Sequence, residues 1–281
     1  MTVARTGDLV RAAAERGAAA GAFNVVTLEH AEAIVQAAED AGVAVILQLS
    51  ENAVRFHRGA AGPIAAACGV LARESSTPVA LHLDHVTDDA LAGQAESCGF
   101  SSLMFDAGAL AYGENVRRTK AAAERAHAAG LWLEAELGYV GGKPDAPRSA
   151  HSPGVRTDPD EAVGYVRATG VDALAVAVGS SHAMTAQTAT LDVELIARLR
   201  ERLDVPLVLH GSSGVPDEAL RAAVRAGIAK VNVGTALGQA MTAAIRRSLD
   251  ADPALVDPRK FLAPARDAIA GAVRHILNVL G

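Results

Sequence analysis

The run Leu81-His82-Leu83-Asp84-His85 ends an apolar stretch with a cluster of titratable side chains, and the arrangement recurs along the chain. Ser101 to Asp106 closes on an acid, Leu131 to Gly138 carries Glu134 and Glu136, the stretch from Ala173 runs into Ser180, Ser181 and His182, and Leu207 to Gly211 contains His210. If His85, His182 and His210 end three strands that converge, three imidazoles with an open fourth position make the usual ligand set of a catalytic zinc. Such a Lewis acid, ringed by carboxylates, suits reactions that polarise a carbonyl and form a neighbouring carbanion or alkoxide. Asp84, next to a candidate ligand, has two readings. It could move a proton, or it could orient a metal-bound histidine. His82, taken alone, reads as a hydrogen-bonded core residue, and Glu134 reads the same way.

Those side chains need elements that end at one rim. Short, β-branched runs alternate with longer segments of helical period, the pattern of repeated βα units. Strands are predicted at Gly21–Val25, Val43–Ser50, Val79–His85, Ser101–Asp106, Leu131–Gly138, Ala173–Gly179, Leu207–Gly211 and Lys230–Thr235. Helices are predicted between them at Leu28–Ala41, Pro63–Arg73, Asp88–Cys98, Asn115–Ala129, Pro159–Thr169, Val193–Leu203 and Pro216–Ala226, several opening on Pro or Asp. The alternation predicts an α/β fold, a single (β/α)₈ TIM barrel spanning residues 1–281 with a C-terminal helical extension. An open doubly wound sheet is the alternative. A barrel keeps its chemistry at the C-terminal ends of its strands, where the residues above fall. Strand alternation puts His82 and Asp84 on one face and Leu83 and His85 on the other, a parity that loosens where a strand ends.

Four further segments stand out. Tyr139 to Thr157, rich in Gly, Pro, Ser and charge, is long for a βα connection and reads as a mobile active-site loop or a surface excursion. Gly211-Ser212-Ser213-Gly214 and Gly234-Thr235 occupy the loops in which barrels bind phosphate through backbone N–H groups, although small residues also serve tight turns. Beyond Ala251, Pro253, Pro258 and Pro264 space a final pair of helical stretches.

Composition narrows the partners. Of 281 residues, 50% are hydrophobic and 21% charged, enough apolar surface for a globular core. A net charge of -6 with scattered arginines gives no footprint for nucleic acid. No secretory leader or membrane-length apolar run is visible, so a cytoplasmic protein acting on small molecules is expected. Cys68 and Cys98 are too few for a disulfide framework and read as buried, reduced thiols.

The motifs AFNV (Ala22–Val25), LHLDH (Leu81–His85), EAELG (Glu134–Gly138), VLHGSSG (Val208–Gly214) and KVNVGT (Lys230–Thr235) together resemble the class II ketose-bisphosphate aldolases over nearly the whole chain. The tail DPRKFLAPAR (Asp257–Arg266) is similar to the tagatose-bisphosphate branch of that family. The resemblance implies that His85, His182 and His210 hold Zn²⁺, with Asp106 and Glu136 as alternative ligands, and it allows a monovalent cation as a second ion. It implies that Asp84 exchanges a proton with the C4 hydroxyl of a ketose as the C3–C4 bond breaks or forms. It places Asn24, Ser50, Gly211, Ser213, Asn232 and Thr235 around a sugar phosphate, and Arg259 on a phosphate, across a subunit interface of a homodimer or homotetramer. The implied role is reversible cleavage of a fructose- or tagatose-bisphosphate-like ketose in carbohydrate metabolism such as glycolysis. The alternatives are another phosphorylated ketose, such as 6-phospho-5-dehydro-2-deoxygluconate, a non-catalytic sugar-phosphate-binding relative, and a metal-dependent epimerase or isomerase. The chain departs from the family pattern where a loop glutamate handles the enediolate proton: Gly141 and Gly142 lead instead to Lys143, Pro144 and Asp145, and Asp145 is the candidate replacement. Ala183 stands where the family has glycine, Met184-Thr185-Ala186 where it has a Tyr-Lys pair, and Glu51 where a neutral residue is common.

Overall fold

Along each strand the side chains part to two faces. In the computed structural model, which describes residues 3–138, 140 and 156–281, the outward set of Phe23, Leu47, Leu49, Leu81, Leu83, Leu133, Leu174, Leu209 and Val231 is buried within one continuous core. The chain runs α1 (Thr6–Glu15), β1 (Ala20–Asn24), α2 (Leu28–Ala41), β2 (Val45–Ser50), α3 (Glu51–Phe56), α4 (Gly62–Glu74), β3 (Val79–Val86), α5 (Asp89–Ala92), β4 (Ser102–Phe105) and α6 (Tyr112–Ala128). It continues through β5 (Trp132–Leu137), α7 (Pro159–Thr169), β6 (Ala173–Val176), α8 (Val193–Arg202), β7 (Leu207–Leu209), α9 (Asp217–Ala226), β8 (Ile228–Val233), α10 (Thr235–Ala251) and α11 (Arg259–Leu280). The strands pair in parallel in the order β1 to β8, and β8 closes on β1. This is the (β/α)₈ barrel, and the open sheet is excluded.

The inward set changes character with height. Ala22, Ile46 and Ala80 form an apolar plug with Val10 and Ala13 of α1, a helix that seals the N-terminal end of the barrel. Above them the register pairs Asn24 with Gln48, Gln48 with His82, and Ser50 with Asp84, so polar residues fill the interior toward the C-terminal ends. Helix ends follow local chemistry. Asp158 caps α7 by accepting from the N–H groups of Asp160 and Glu161 at 2.9 Å, Pro159 opens it, and left-handed Gly170 ends it.

Several elements differ from the sequence reading. Helix α1 was not predicted, and it owes its place to the plug it covers. The helix predicted over Asp88–Cys98 ends at Ala92, where Gly93 starts a run of turns. The two helical stretches predicted after Ala251 are instead one long α11 with Pro264 inside it. Ala265, Ile269, Val273 and Leu277 recur every four residues and are buried. At about 1.5–3 kcal/mol for each large apolar side chain, that stripe offsets the roughly 3 kcal/mol a helical proline costs. Arg266 and Arg274 of α11 pair with Glu32 and Asp40 of α2 at 2.8 and 3.0 Å. Cys68 is buried, which pushes its thiol up to about 12, whereas Cys98 is only half-buried. Among the described residues no helix is long and apolar enough to cross a membrane.

Candidate metal centre and active site

The C-terminal half of β3 departs from regular alternation. Its register with β4 shifts between Leu83 and Val86, and His85 adopts a left-handed φ of 49°. A non-glycine residue held there costs of order 1–3 kcal/mol, a cost tolerated when the surroundings fix it. The consequence is that His85, which simple alternation would aim outward, turns into the barrel mouth. Its ring centroid lies 5.1 Å from that of His182 and 4.9 Å from that of His210, and the last two are 5.7 Å apart. One ligand atom each from His85, Glu136, His182 and His210 can be chosen so that all lie within 4.8 Å of one another.

The donor set suits zinc: imidazoles and a carboxylate, delivered from four different strand ends. Two of the imidazoles are also oriented from outside. His85 Nδ1 is 2.8 Å from Asp106 Oδ2, and His210 Nε2 is 2.8 Å from Glu134 Oε1, while His210 Nδ1 faces Glu136 at 2.9 Å. Carboxylates on the outer nitrogens of ligand histidines fix ring orientation and tautomer. Asp106 therefore sits behind His85, outside the cluster of four. Glu134 is fully buried and also takes the ammonium of Lys230 at 2.7 Å, in a part of the barrel with no solvent to stabilise either charge. Burial alone would raise the Glu134 carboxyl, but Lys230 and His210 hold it well below the usual range. Burial would likewise lower His210, yet hydrogen bonds to Glu134 and Glu136 push it up to about 10 in the metal-free protein. His82 goes the other way, held far down by burial and by Lys230. It is fully buried and shares a 2.7 Å hydrogen bond with Ser102, as a core histidine should.

Asn24, Ser50, Asp84, His85, Asp106, His182, Gly211, Ser213, Asn232 and Thr235 all line one cleft of about 560 Å³. Glu136 and His210 are buried beneath it. Asp84 accepts from Gln48 Nε2 at 3.1 Å, and the same amide donates to Asn24 Oδ1 at 3.0 Å, so Gln48 ties the two together. Both polar atoms of the Asn232 amide are buried with no hydrogen-bond partner among the described residues, an arrangement that calls for a polar ligand. Gly211 has φ 66°, and a Cβ there would lie 2.6 Å from the Ser181 carbonyl. Ser213 Oγ accepts from Ala236 N at 3.1 Å, which draws the loop after β7 onto the first turn of α10. With Ala236 N on Ser213 Oγ and Leu237 N and Gly238 N on the Gly234 carbonyl, Thr235 N is the first-turn amide left for an anion. Ala183, where the family pattern has glycine, has a left-handed φ of 59° and also lines the cleft.

Arg259, expected on a phosphate, does not line this cleft. Arg259 is largely exposed at the start of α11 and pairs with Asp257 at 2.8 Å. Asp145 lies outside the described residues. Conversely, Gln48, His30, Arg55 and Lys230 were not picked out by the sequence as parts of the site, and Glu51 stood out only as a departure from the family pattern. Gln48 and Lys230 each stand two residues before a recognised site residue on the same strand, so alternation was the signal that could have found them.

The chain matches the family model for class-II fructose-bisphosphate aldolases over residues 4–281. It is 40% identical over 257 residues to a fructose-bisphosphate aldolase of Geobacillus stearothermophilus, covering 91% of this chain and 88% of that one. It is 36% identical over 297 residues to a fructose-bisphosphate aldolase of Thermus caldophilus, covering 98% and 96%. Among solved structures it resembles the YdjI aldolase of Escherichia coli K12, with TM-score 0.85, 31% identity and coverage of 100% and 98%. A putative fructose-1,6-bisphosphate aldolase of Coccidioides immitis gives TM-score 0.86 at 28% identity, covering 98% and 96%.

Proposed function

The chain belongs to the class-II fructose-bisphosphate aldolase family, and on that premise we propose that it is a zinc-dependent enzyme that reversibly cleaves a phosphorylated ketose. The products would be dihydroxyacetone phosphate and an aldehyde. The observation that carries this reading is the convergence of His85, His182, His210 and Glu136 within 4.8 Å, in a barrel mouth that also presents Asp84. His85, His182 and His210 would hold Zn²⁺, with Glu136 as an alternative ligand and Asp106 able to serve as one only by leaving its bond to His85 Nδ1, and the ion would supply a Lewis acid that stabilises negative charge developing next to a carbonyl.

The chain's own residues do the rest. Asp84 takes the C4 hydroxyl proton as the C3–C4 bond breaks, the bonding electrons stay on C3, and C4 leaves as the aldehyde carbon. Gln48 holds the carboxylate in place for that transfer. C3 then gains a proton from an acid, for which Asp145 is the candidate. The N–H groups of Gly211 to Ser213 and of Thr235 cradle the ketose phosphate. Asn24, Ser50, Asn232 and Thr235 bind the sugar hydroxyls and phosphate oxygens. Arg259, exposed and not among the residues that line its own cleft, would act on a phosphate of a neighbouring subunit in a homodimer or homotetramer.

Retro-aldol cleavage by zinc-loaded and chelator-stripped protein tests the reading, with fructose and tagatose bisphosphates and 6-phospho-5-dehydro-2-deoxygluconate as substrates. Cleavage that depends on bound zinc is expected. Absence of cleavage of every substrate by protein carrying stoichiometric zinc would sink it.

A further inference from the structure

The Glu51–Arg55 pair in the cleft takes no part in metal binding or proton transfer. Glu51 is the first residue of α3, directly after Ser50, and it is buried. Its carboxylate accepts from Thr87 N at 2.6 Å, from Thr87 Oγ1 at 3.0 and 3.1 Å, from Asp88 N at 3.3 Å, and from Arg55 Nη2 one turn on. A carboxylate has about four acceptor positions, so Glu51 is saturated and serves neither as a base nor as a ligand. What it does is bind α3 to the segment after β3 and fix the Arg55 guanidinium.

Arg55 is held but not hidden. Its side chain is two-thirds exposed and lines the cleft, and only its Nη2 is engaged within the described residues. A guanidinium carries five N–H donors in a rigid fork. Among the described residues that line the cleft, Arg55 is the only lysine or arginine, whereas Glu51, Asp84 and Asp106 are acids. Its position relative to the other anion site is also informative. Glu51 clamps Arg55 to the end of β3, and in a closed sheet of eight strands β3 stands opposite β7, whose loop carries the N–H groups proposed above for the ketose phosphate. The metal cluster lies between these poles. A ligand spanning the mouth therefore meets N–H groups at one end and a guanidinium at the other.

We propose that Arg55, positioned by Glu51, is a specificity residue that reads an anion, a phosphate or a carboxylate, at the aldehyde end of the substrate. The assignment rests on the aldolase reading for which end is which, because Asp84, the C4 proton carrier, pairs in register with Ser50 on the Arg55 side of the cleft.

The test compares wild type with Arg55→Met and Arg55→Lys, zinc-loaded, in condensation of dihydroxyacetone phosphate with three aldehydes. These are glyceraldehyde 3-phosphate, 4-oxobutanoate and uncharged glyceraldehyde. A charge-assisted hydrogen bond lost corresponds to about a 10- to 100-fold change, so the ratio of kcat/KM for the preferred anionic aldehyde over glyceraldehyde should fall by that factor in Arg55→Met, chiefly through KM. Arg55→Lys, which keeps the charge but not the fork, should fall less. Whichever anionic aldehyde wild type prefers identifies phosphate or carboxylate as the group read. An unchanged ratio in Arg55→Met overturns the proposal. Calorimetric titration of glyceraldehyde 3-phosphate and 4-oxobutanoate into the same proteins reads the contrast without turnover. If wild type binds either one and Arg55→Met loses that binding while no condensation occurs, the aldolase reading fails and the role of Arg55 stands. If wild type and Arg55→Met bind both alike, or wild type binds neither, the proposal fails.

Discussion

At the scale of single residues, the site is a set of carboxylates given different work by their neighbours. Asp84 reaches the cleft and is held by one amide, Glu51 is saturated, and Glu134 is fully buried between an ammonium and an imidazole. Asp84→Ala should lower retro-aldol kcat by about 10²–10⁴-fold, the range for a lost general acid or base. Its zinc content, measured by atomic absorption, should match wild type. Zinc lost along with activity would assign Asp84 to assembly of the site instead. Lys230 makes a different prediction. Removing one partner of a buried ion pair costs about 3–5 kcal/mol because the other charge is stranded. Lys230→Met should therefore lose that much stability in urea unfolding of the metal-free protein, and Glu134→Gln combined with Lys230→Met should recover a large part. If the single variant unfolds at the wild-type midpoint, the pair is not what holds Glu134 in the barrel.

At the scale of elements, α2 joins the cleft to its own folding. Thr27 and His30 form a reciprocal cap at its start, with His30 Nδ1 3.1 Å from Thr27 Oγ1, and left-handed Gly42 ends it. Burial lowers the His30 pKa, opposed weakly by Glu29. The sign of the pH dependence follows from that direction. The unfolded chain binds a proton at His30 near pH 6.5 and the folded chain resists it, so stability is complete above that pH and declines as pH falls through and below it. Melting temperature should drop between pH 7.5 and 5.5, and His30→Gln, whose amide can still close the cap, should drop less. An identical drop in both proteins would remove His30 from the account. The β3 end shows the same coupling of element to site. Alternation assigns His85 to the outer face, and the irregular register with a left-handed backbone reverses that assignment.

At the scale of the molecule, the barrel and the zinc proposed for it should be separable. The core of outward-facing side chains and the plug under α1 are built without the metal cluster, so stripping zinc should leave the barrel folded while removing its binding free energy. That linkage is worth about 2.7 kcal/mol when free metal is 100 times the dissociation constant. Chelation should lower the melting temperature with far-ultraviolet circular dichroism unchanged at 25 °C, and added zinc should restore it in proportion to log concentration. Loss of secondary structure on chelation would show the metal to be part of the fold. The sequence by itself determined the eight βα units, because strand and helix periodicity are local, and it determined most of the rim, because a polar residue ending an apolar strand is visible in one dimension. His85, His182, His210, Asp84 and the glycines after β7 were legible for that reason. The tertiary structure decided what depends on neighbours distant in sequence. Closure of β8 on β1 gave the barrel, and the buried stripe of α11 carried the helix across Pro264. Likewise, Lys230 becomes the counter-ion of Glu134 only when β8 and β5 enclose a common interior, and Glu51 becomes an anchor for Arg55 only when Thr87 and Asp88 come to its carboxylate. A single residue type carries no record of which opposite charge or donor will face it, since that is set by the register and closure of the sheet.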